Sequence, residues 1–366
     1  MEVADILRRY GGEYRFAFGG NLSSSQCRAV EDILRCRTPA MGGHVFRCTH
    51  CGHEQYAYHS CRNRSCPKCH GNDTADWLTQ RHKELLPVPY FHVVFTLPPG
   101  LRAVVYRFQQ PLYSILMKAA AEALMKLAAD PHYVGGLVGI LAVLHTWTRT
   151  LTYHPHVHCL VPAGGVSPDR EWKPARKNYL VPVKALSRLF RGIFHDLLKK
   201  RMPELRVPPS VWTTEWVVYS KASVQGVDIV LNYLGRYVHR VAISNSRIMA
   251  IDDGKVAFRY QECGHTEWKT LTLPATEFIR RFLQHVLPAG AHKVRYYGLW
   301  APSNRRLLRQ VQMLLAADEA EAAPAEPDSR TIEPSSSSSM GTTCPSCGEG
   351  RLVCIGRLPR QGRAPP

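Results

Sequence analysis

The chain has 366 residues, of which 45% are hydrophobic, so its length and composition allow folded cores. Lys and Arg outnumber Asp and Glu by 47 to 29, and the formal charge of +18 favours a polyanionic partner, nucleic acid before an anionic membrane. No apolar run reaches the length of a membrane span, and the first residues, MEVADILRRYGG, lack a signal-peptide pattern. We therefore expect a cytoplasmic protein whose 12 cysteines are thiols or metal ligands rather than disulfides.

Helical and strand patterns alternate along the chain, which predicts an α/β or α+β fold. The predicted helices cover residues 1–36, 74–86, 101–130, 185–202, 227–240 and 275–287. The predicted strands cover residues 88–100, 134–147, 159–161 and 215–222, followed by a hairpin at 255–273. The sequence becomes acidic and then Pro- and Ser-rich towards the C-terminus, which predicts a disordered linker at 316–340 ahead of a short tail at 341–366.

Two Cys-x-x-Cys pairs in the segment 42–70 indicate a zinc site with the ligands Cys48, Cys51, Cys66 and Cys69. Four thiolates leave no open coordination position, so this Zn²⁺ is expected to be structural. Cys36 and Cys61 are surplus to this set. The tail contains a further partial knuckle, Cys344, Cys347 and Cys354, for which a zinc ion with a borrowed ligand and a degenerate remnant are both open interpretations.

Basic residues are interspersed among these cysteines, at Arg62, Arg64 and Lys68. Cations held rigidly by a metal core are well placed to contact DNA phosphates. The alternative is a solvated basic loop with no partner.

The segment HPHVHCLVPAGG contains a His-x-His pair, His156 and His158, at the start of a predicted strand. Alternate residues of a strand share a face, so these two imidazoles project about 7 Å apart on the same side and can converge on one divalent ion. A third ligand would have to come from elsewhere, and both His145 and His154 are candidates. Taken alone, the pair could equally be solvated histidines at a strand edge.

The segment VDIVLNYLGRYVHR predicts an amphipathic helix with two tyrosines, Tyr233 and Tyr237, four residues apart at the edge of its apolar stripe. Arg240 lies beside them and Arg236 next to it, and both are expected to contact DNA. Such tyrosines are commonly core-edge residues. A phenol next to an arginine in a basic protein can also attack a DNA phosphorus, provided that an ion, an arginine or a base helps it to lose its proton.

Three motifs occur in the order found in HUH endonucleases: HVVFTLP at 92–98, the His-hydrophobic-His strand at 156–158 and the two-tyrosine helix. The preceding segment SCRNRSCPKC and the segment YLGRYVHRVAISNSRI at 233–248 restrict the resemblance to one family within the HUH endonucleases. The chain resembles the rolling-circle transposases of the insertion sequence ninety-one type from about residue 20 to about residue 305.

The resemblance implies an α+β fold with an antiparallel sheet flanked by helices. It implies a helical and zinc-binding domain at 1–85 and an HUH two-tyrosine transposase domain at 86–315, followed by the linker and the tail. His156 and His158 would bind a catalytic Mg²⁺ or Mn²⁺, and Tyr233 and Tyr237 would form 5′-phosphotyrosine links. The zinc module would help to recognise the ends of the element.

The expected partners are single-stranded DNA and the hairpin ends of the protein's own mobile element, with no membrane. The protein would be bacterial and nucleoid-associated when bound to DNA, and its oligomeric state, a homo-oligomer included, is left open. Two alternatives remain at this stage. One is a plasmid-type rolling-circle replication initiator or relaxase, and the other is a zinc-dependent DNA-binding regulator without catalysis.

Overall fold

The computed structural model describes residues 1–69, 78–79, 81–224, 235, 238, 241–262, 264–322 and 343–362. The helices within these residues are α1 (Val3–Phe18), α2 (Ser24–Arg35), α3 (Arg102–Arg107), α4 (Gln109–Ala128), α5 (Val183–Arg201), α6 (Ser210–Thr213), α7 (Ala275–Leu283) and α8 (Arg305–Ala322). The strands are β1 (Gly43–Cys48), β2 (Glu54–Tyr58), β3 (Tyr90–Thr96), β4 (Gly139–Trp147), β5 (Tyr153–Pro162), β6 (Gly164–Val166), β7 (Trp172–Pro174), β8 (Val218–Val224), β9 (Ile248–Asp252), β10 (Lys255–Gln261), β11 (Trp268–Pro274), β12 (Val294–Gly298) and β13 (Leu352–Leu358).

The central feature is a five-stranded antiparallel sheet in the order β12-β4-β5-β3-β8. All but two of the nine residues of β4, GILAVLHTW, are apolar, and eight of the nine are buried, because the sheet is covered on both faces. Helices α4 and α5 pack on one face, where Val157 and Cys159 of β5 point. The prediction of an α+β chain with an antiparallel sheet flanked by helices is confirmed.

The opposite face of this sheet carries the histidines and is covered at one end by apolar residues. Leu141 and Leu160 pack there with Trp300 and with Leu308 of α8. Val238 belongs to the same buried cluster. Gly235 and Val238 are helical, as predicted for 227–240, and the rest of that predicted helix lies outside the described residues.

The two N-terminal helices pack against a second, three-stranded sheet formed by β9, β10 and β11. Ile6 and Ile33 lie in one buried cluster with Phe258 of β10 and with Phe278 and Phe282 of α7. The predicted boundary at residue 85 therefore does not separate two independent cores.

The tail folds onto the N-terminal part of the chain. Strand β13 pairs antiparallel with β1, and the two form a three-stranded sheet with β2. This strand pairing joins the predicted tail, 341–366, to the zinc-binding region. Helix α8 also continues through Ala322, past the predicted start of the linker at residue 316, because Val311 and Leu315 bury an apolar stripe. The rest of that linker, 323–340, lies outside the described residues.

No helix within the described ranges is both long and apolar enough to cross a membrane.

A buried histidine, His285, links the region after α7 to the central sheet. Its Nδ1 accepts a hydrogen bond from Thr146 Oγ1 (3.2 Å), and its Nε2–H donates to the Leu151 carbonyl oxygen (3.2 Å). Complete burial lowers the pKa of His285 to about 4. The Tyr153 ring stacks on it, and burial raises the pKa of that phenol, so Tyr153 is neutral beside His285.

We expect His285 to make the fold sensitive to acid. In the unfolded chain its pKa returns to about 6.5, so the stabilisation is complete above pH 6.5 and is lost as the pH falls towards 4, by up to about 3 kcal/mol. Urea unfolding at pH 7.5 and 4.5 measures this loss. His285→Gln cannot titrate and should lose less stability between the two pH values, whereas equal losses in both proteins would refute the assignment.

Candidate functional site

Three histidines meet on one face of the central sheet. Strand pairing places His145 of β4 opposite His156 of β5, and His158 follows two residues later on the same face. One ring nitrogen from each of the three lies within 4.8 Å of the others. Burial lowers the pKa of His156 to about 4, so this imidazole is neutral at pH 7 and keeps a lone pair for a metal ion.

Hydrogen bonds at Nδ1 orient two of these rings. His156 Nδ1 lies 2.7 Å from the His154 carbonyl oxygen, which can only accept, so the proton is on Nδ1. His158 Nδ1 lies 2.8 Å from His92 Nε2. If His158 donates in this bond, both histidines present an unprotonated Nε2, the arrangement typical of metal-binding histidines whose other nitrogen is held by a second partner.

The structure separates the two candidates for the third ligand. His154 is held away from the group because Arg102 Nη2 donates to its Nδ1 (2.9 Å). His145 is buried and joins the pair, and its ring stacks on Trp147 with the centroids 4.5 Å apart.

The chemistry of the three histidine nitrogens indicates which divalent ion fits between them. Three imidazole nitrogens suit a first-row transition ion such as Mn²⁺ better than Mg²⁺, since Mg²⁺ prefers oxygen ligands. His145, His156 and His158 would hold such an ion, with coordination positions left for phosphate oxygens. Arg102 and Lys221 add positive charge nearby, and Lys221 contributes to lowering the pKa of His92.

His92 is a further residue of the site, and its motif HVVFTLP did not predict a role for it. It lies on β3, on the face shared with His158, and burial is the main reason that its pKa falls to about 4. In its neutral form, His92 can accept a hydrogen bond at Nε2 from the Nδ1–H of His158. The sequence signal for His92 is an ionisable residue in the middle of the mostly apolar strand YFHVVFT.

We expect His92→Leu to weaken divalent-ion binding by about 10- to 100-fold, because His158 would lose the partner that fixes its tautomer. His92→Gln offers an amide oxygen as acceptor and should recover part of the affinity. Isothermal titration calorimetry of each purified variant with Mn²⁺ measures the two affinities. Wild-type affinity in His92→Leu would show that the contact does not position the ligand.

Eight of the cysteines in the described part of the chain form two separate groups of four. In the first, Cys36 and Cys61 approach Cys69 with Sγ–Sγ distances of 3.5 Å, and Cys66 completes the set. An ideal Zn–S length of about 2.3 Å gives a tetrahedral sulfur–sulfur edge of about 3.8 Å. Four buried or half-buried thiols at this spacing fit a structural zinc ion.

The second group contains Cys48, Cys51, Cys344 and Cys347. The prediction of one site formed by both N-terminal pairs is therefore corrected: the structure does not bring Cys48 and Cys51 together with Cys66 and Cys69. Cys66 and Cys69 are completed by Cys36 and Cys61, the two cysteines that the prediction left surplus. Cys48 and Cys51 are completed by Cys344 and Cys347 of the predicted partial knuckle. Cys354 lies outside both groups, with its Sγ 3.7 Å from His44 Nδ1.

The predicted DNA-contacting cations of the N-terminal segment have different environments. Arg64 donates to the carbonyl oxygens of Leu287, Pro288 and Ala291 at 2.6 to 2.8 Å, so its hydrogen bonds hold the chain together. Lys68 forms an ion pair with Glu2 (2.5 Å). Both residues stay predicted DNA contacts, since Arg64 is exposed and one ion pair does not occupy all donors of the Lys68 ammonium. Arg62 is exposed and stays a predicted DNA contact.

Four predicted site residues lie outside the described residues: Tyr233, Arg236, Tyr237 and Arg240. Val238, within the same predicted helix, is described and belongs to the buried cluster that also contains Leu141, Val143 and Leu160 of the histidine face.

Two family models match the chain. The model described as "Transposase zinc-binding domain" matches residues 6–97, and the one described as "Putative transposase" matches residues 139–307. The first range contains all of the first cysteine group, and the second contains the three histidines. The class of protein is thus a transposase, a DNA-processing enzyme with a zinc-binding domain.

Curated relatives agree with this class. The chain is 43% identical to "Putative transposase y4qJ" of Sinorhizobium fredii (strain NBRC 101917 / NGR234), over 97% of this chain and 94% of the relative. It is 30% identical to "Transposase for insertion sequence element IS801" of Pseudomonas savastanoi pv. phaseolicola, over 77% of this chain and 72% of the relative. No solved structure matches the chain. The chain belongs to the insertion sequence ninety-one family of transposases.

Proposed function

We propose that this transposase nicks and rejoins single-stranded DNA at the ends of its own mobile element, through a 5′-phosphotyrosine intermediate. The observation that carries the proposal is the three-imidazole group formed by His145, His156 and His158 in a protein of this family. The formal charge of +18 supports a DNA substrate.

In the proposed reaction, the phenolic oxygen of Tyr233 or Tyr237 attacks the scissile phosphorus. The new bond joins tyrosine to the 5′ phosphate, and the bond from phosphorus to the 3′ oxygen breaks. The phenol loses a proton, and the leaving oxygen gains one to become a 3′-hydroxyl. Attack by a 3′-hydroxyl on the phosphotyrosine reverses the step and joins strands.

The histidines would act on the scissile phosphate through a bound metal ion. A divalent ion held at His145, His156 and His158 would polarise the phosphate and stabilise the charge that develops on it. The neutral state of His156 favours this role, because a protonated imidazole cannot bind a cation.

The two tyrosines are proposed as nucleophiles from the family resemblance and from their position in the chain. Val238 follows Tyr237 directly and belongs to the buried cluster that covers one end of the histidine face. Its place in that cluster supports a helix positioned near this face. Tyrosines one turn apart can reach one phosphate in succession.

Trapping of the covalent intermediate tests the proposal. The full-length protein is incubated with Mn²⁺ and single-stranded oligonucleotides taken from the ends of the element, and adducts are digested and read by mass spectrometry. We expect the 5′ phosphate on Tyr233 or Tyr237. Specific cleavage without any protein–DNA adduct, or an adduct on another residue, would refute the mechanism.

A further inference from the structure

The second cysteine group is divided between the two ends of the chain. Cys48 is the last residue of β1 and Cys51 follows it, whereas Cys344 and Cys347 precede β13. The matched zinc-binding domain covers residues 6–97 and thus contains half of this group. We propose that the protein binds two zinc ions, and that the second is held jointly by Cys48, Cys51, Cys344 and Cys347, so that it fastens the tail to the N-terminal region.

The sulfur positions fit one tetrahedral ion. Cys48 Sγ lies 3.7 Å from Cys347 Sγ, and Cys51 Sγ lies 3.8 Å from Cys344 Sγ. Both distances equal the edge of about 3.8 Å that follows from Zn–S bonds of about 2.3 Å. A set of four thiolates selects Zn²⁺ over hard cations such as Mg²⁺.

Both halves of the site have the same local structure. Each is a Cys-x-x-Cys-Gly turn in which the glycine N–H donates back to the carbonyl oxygen of the first cysteine, at 3.2 Å for Gly52 and 2.9 Å for Gly348. These glycines have φ of 70° and 72°, a conformation that other residues rarely adopt. The two turns face each other as equivalent ligand pairs.

Backbone N–H groups point at the sulfurs. Those of His50 and Cys51 approach Cys48 Sγ at 3.4 and 3.5 Å, and that of Gly350 approaches Cys347 Sγ at 3.4 Å. Such donors stabilise the thiolate form that a zinc ion requires. A Cβ on Gly350 would overlap Cys48 Sγ, so the absence of a side chain there lets the two halves approach.

The tail has too little core to stay folded alone. The buried cluster around it consists of Cys48, Cys344 and Leu352, and two of these three are ligands. Val353 and Ile355 of β13 are exposed by 45% and 46%. Few apolar side chains are buried on docking, so the metal has to supply the stabilisation, as in other small zinc modules.

Zinc content of the purified full-length protein tests the proposal. We expect about two zinc ions per chain in the wild type and about one in the double variant Cys344→Ser/Cys347→Ser. Cys354→Ser removes a tail thiol outside both groups and should keep two. One zinc ion in the wild type, or two in the double variant, would overturn the proposal.

Thiol labelling of the wild type supplies a measurement that does not depend on a variant. Cys344 is 1% exposed, and we expect it to resist alkylation until a chelator removes zinc, while Cys354 reacts from the start. Limited proteolysis should then release the tail only after chelation. A tail that stays protected in zinc-free protein would show that β13 docks without the ion.

Discussion

Replacing His156 with Ala is expected to lower strand cleavage by orders of magnitude while DNA binding largely survives. The variant removes one of three imidazole nitrogen donors, and the ion would lose the geometry that places it against the phosphate. DNA binding depends instead on the positive charge of the whole chain, which the substitution does not change. Cleavage and binding of an end-derived single-stranded oligonucleotide are measured separately in Mn²⁺.

The same strand provides a matched control. His154→Ala removes an imidazole two residues away that is bonded to Arg102 and lies outside the three-histidine group. It should retain most of the cleavage activity, whereas His145→Ala should behave like His156→Ala. Wild-type cleavage in the presence of EDTA, or equal losses in His154→Ala and His156→Ala, would contradict the assignment.

The second large effect concerns the two tyrosines. We expect Tyr233→Phe and Tyr237→Phe each to abolish transposition, and the double variant to form no covalent adduct. Two nucleophiles allow one protein to hold one strand end while it cleaves another. Each single variant keeps one phenol and should still form some adduct in vitro.

Adduct formation and transposition are therefore assayed side by side. If one single variant forms no adduct and the other transposes like the wild type, a single tyrosine is catalytic. The remaining tyrosine would then be a residue at the edge of the helix's apolar stripe. Tyr56→Phe, at an exposed tyrosine on β2 outside the central sheet, is a control for the loss of a phenol elsewhere and should form adduct normally.

Local patterns predicted most of the central sheet and its helices. The run YFHVVFT became β3, and the amphipathic spacing at 185–202 became α5 almost to the residue. The His-x-His pair was also readable, because alternation along a strand puts His156 and His158 on one face wherever the strand lies. Each of these features depends on residues close together in the chain.

The missed features depend on residues far apart. Cys-x-x-Cys spacing identifies ligand pairs, since a short turn sets the distance between two thiols, but it does not say which pairs share an ion. Pairing of β1 with β13 decided that Cys48 and Cys51 meet the tail. Register between β4 and β5 decided that His145 joins the histidine pair.

The same distinction applies to the charged residues. Composition determined that the protein is strongly basic, and the spacing of its Cys, His and Tyr motifs indicated its family. Only the folded chain showed that Arg64 donates hydrogen bonds to carbonyl oxygens near residue 290. It also showed that His92 contacts His158, a candidate metal ligand. Sequence spacing determines local geometry, whereas the partner of a side chain is decided by which distant segments pack together to bury their apolar faces.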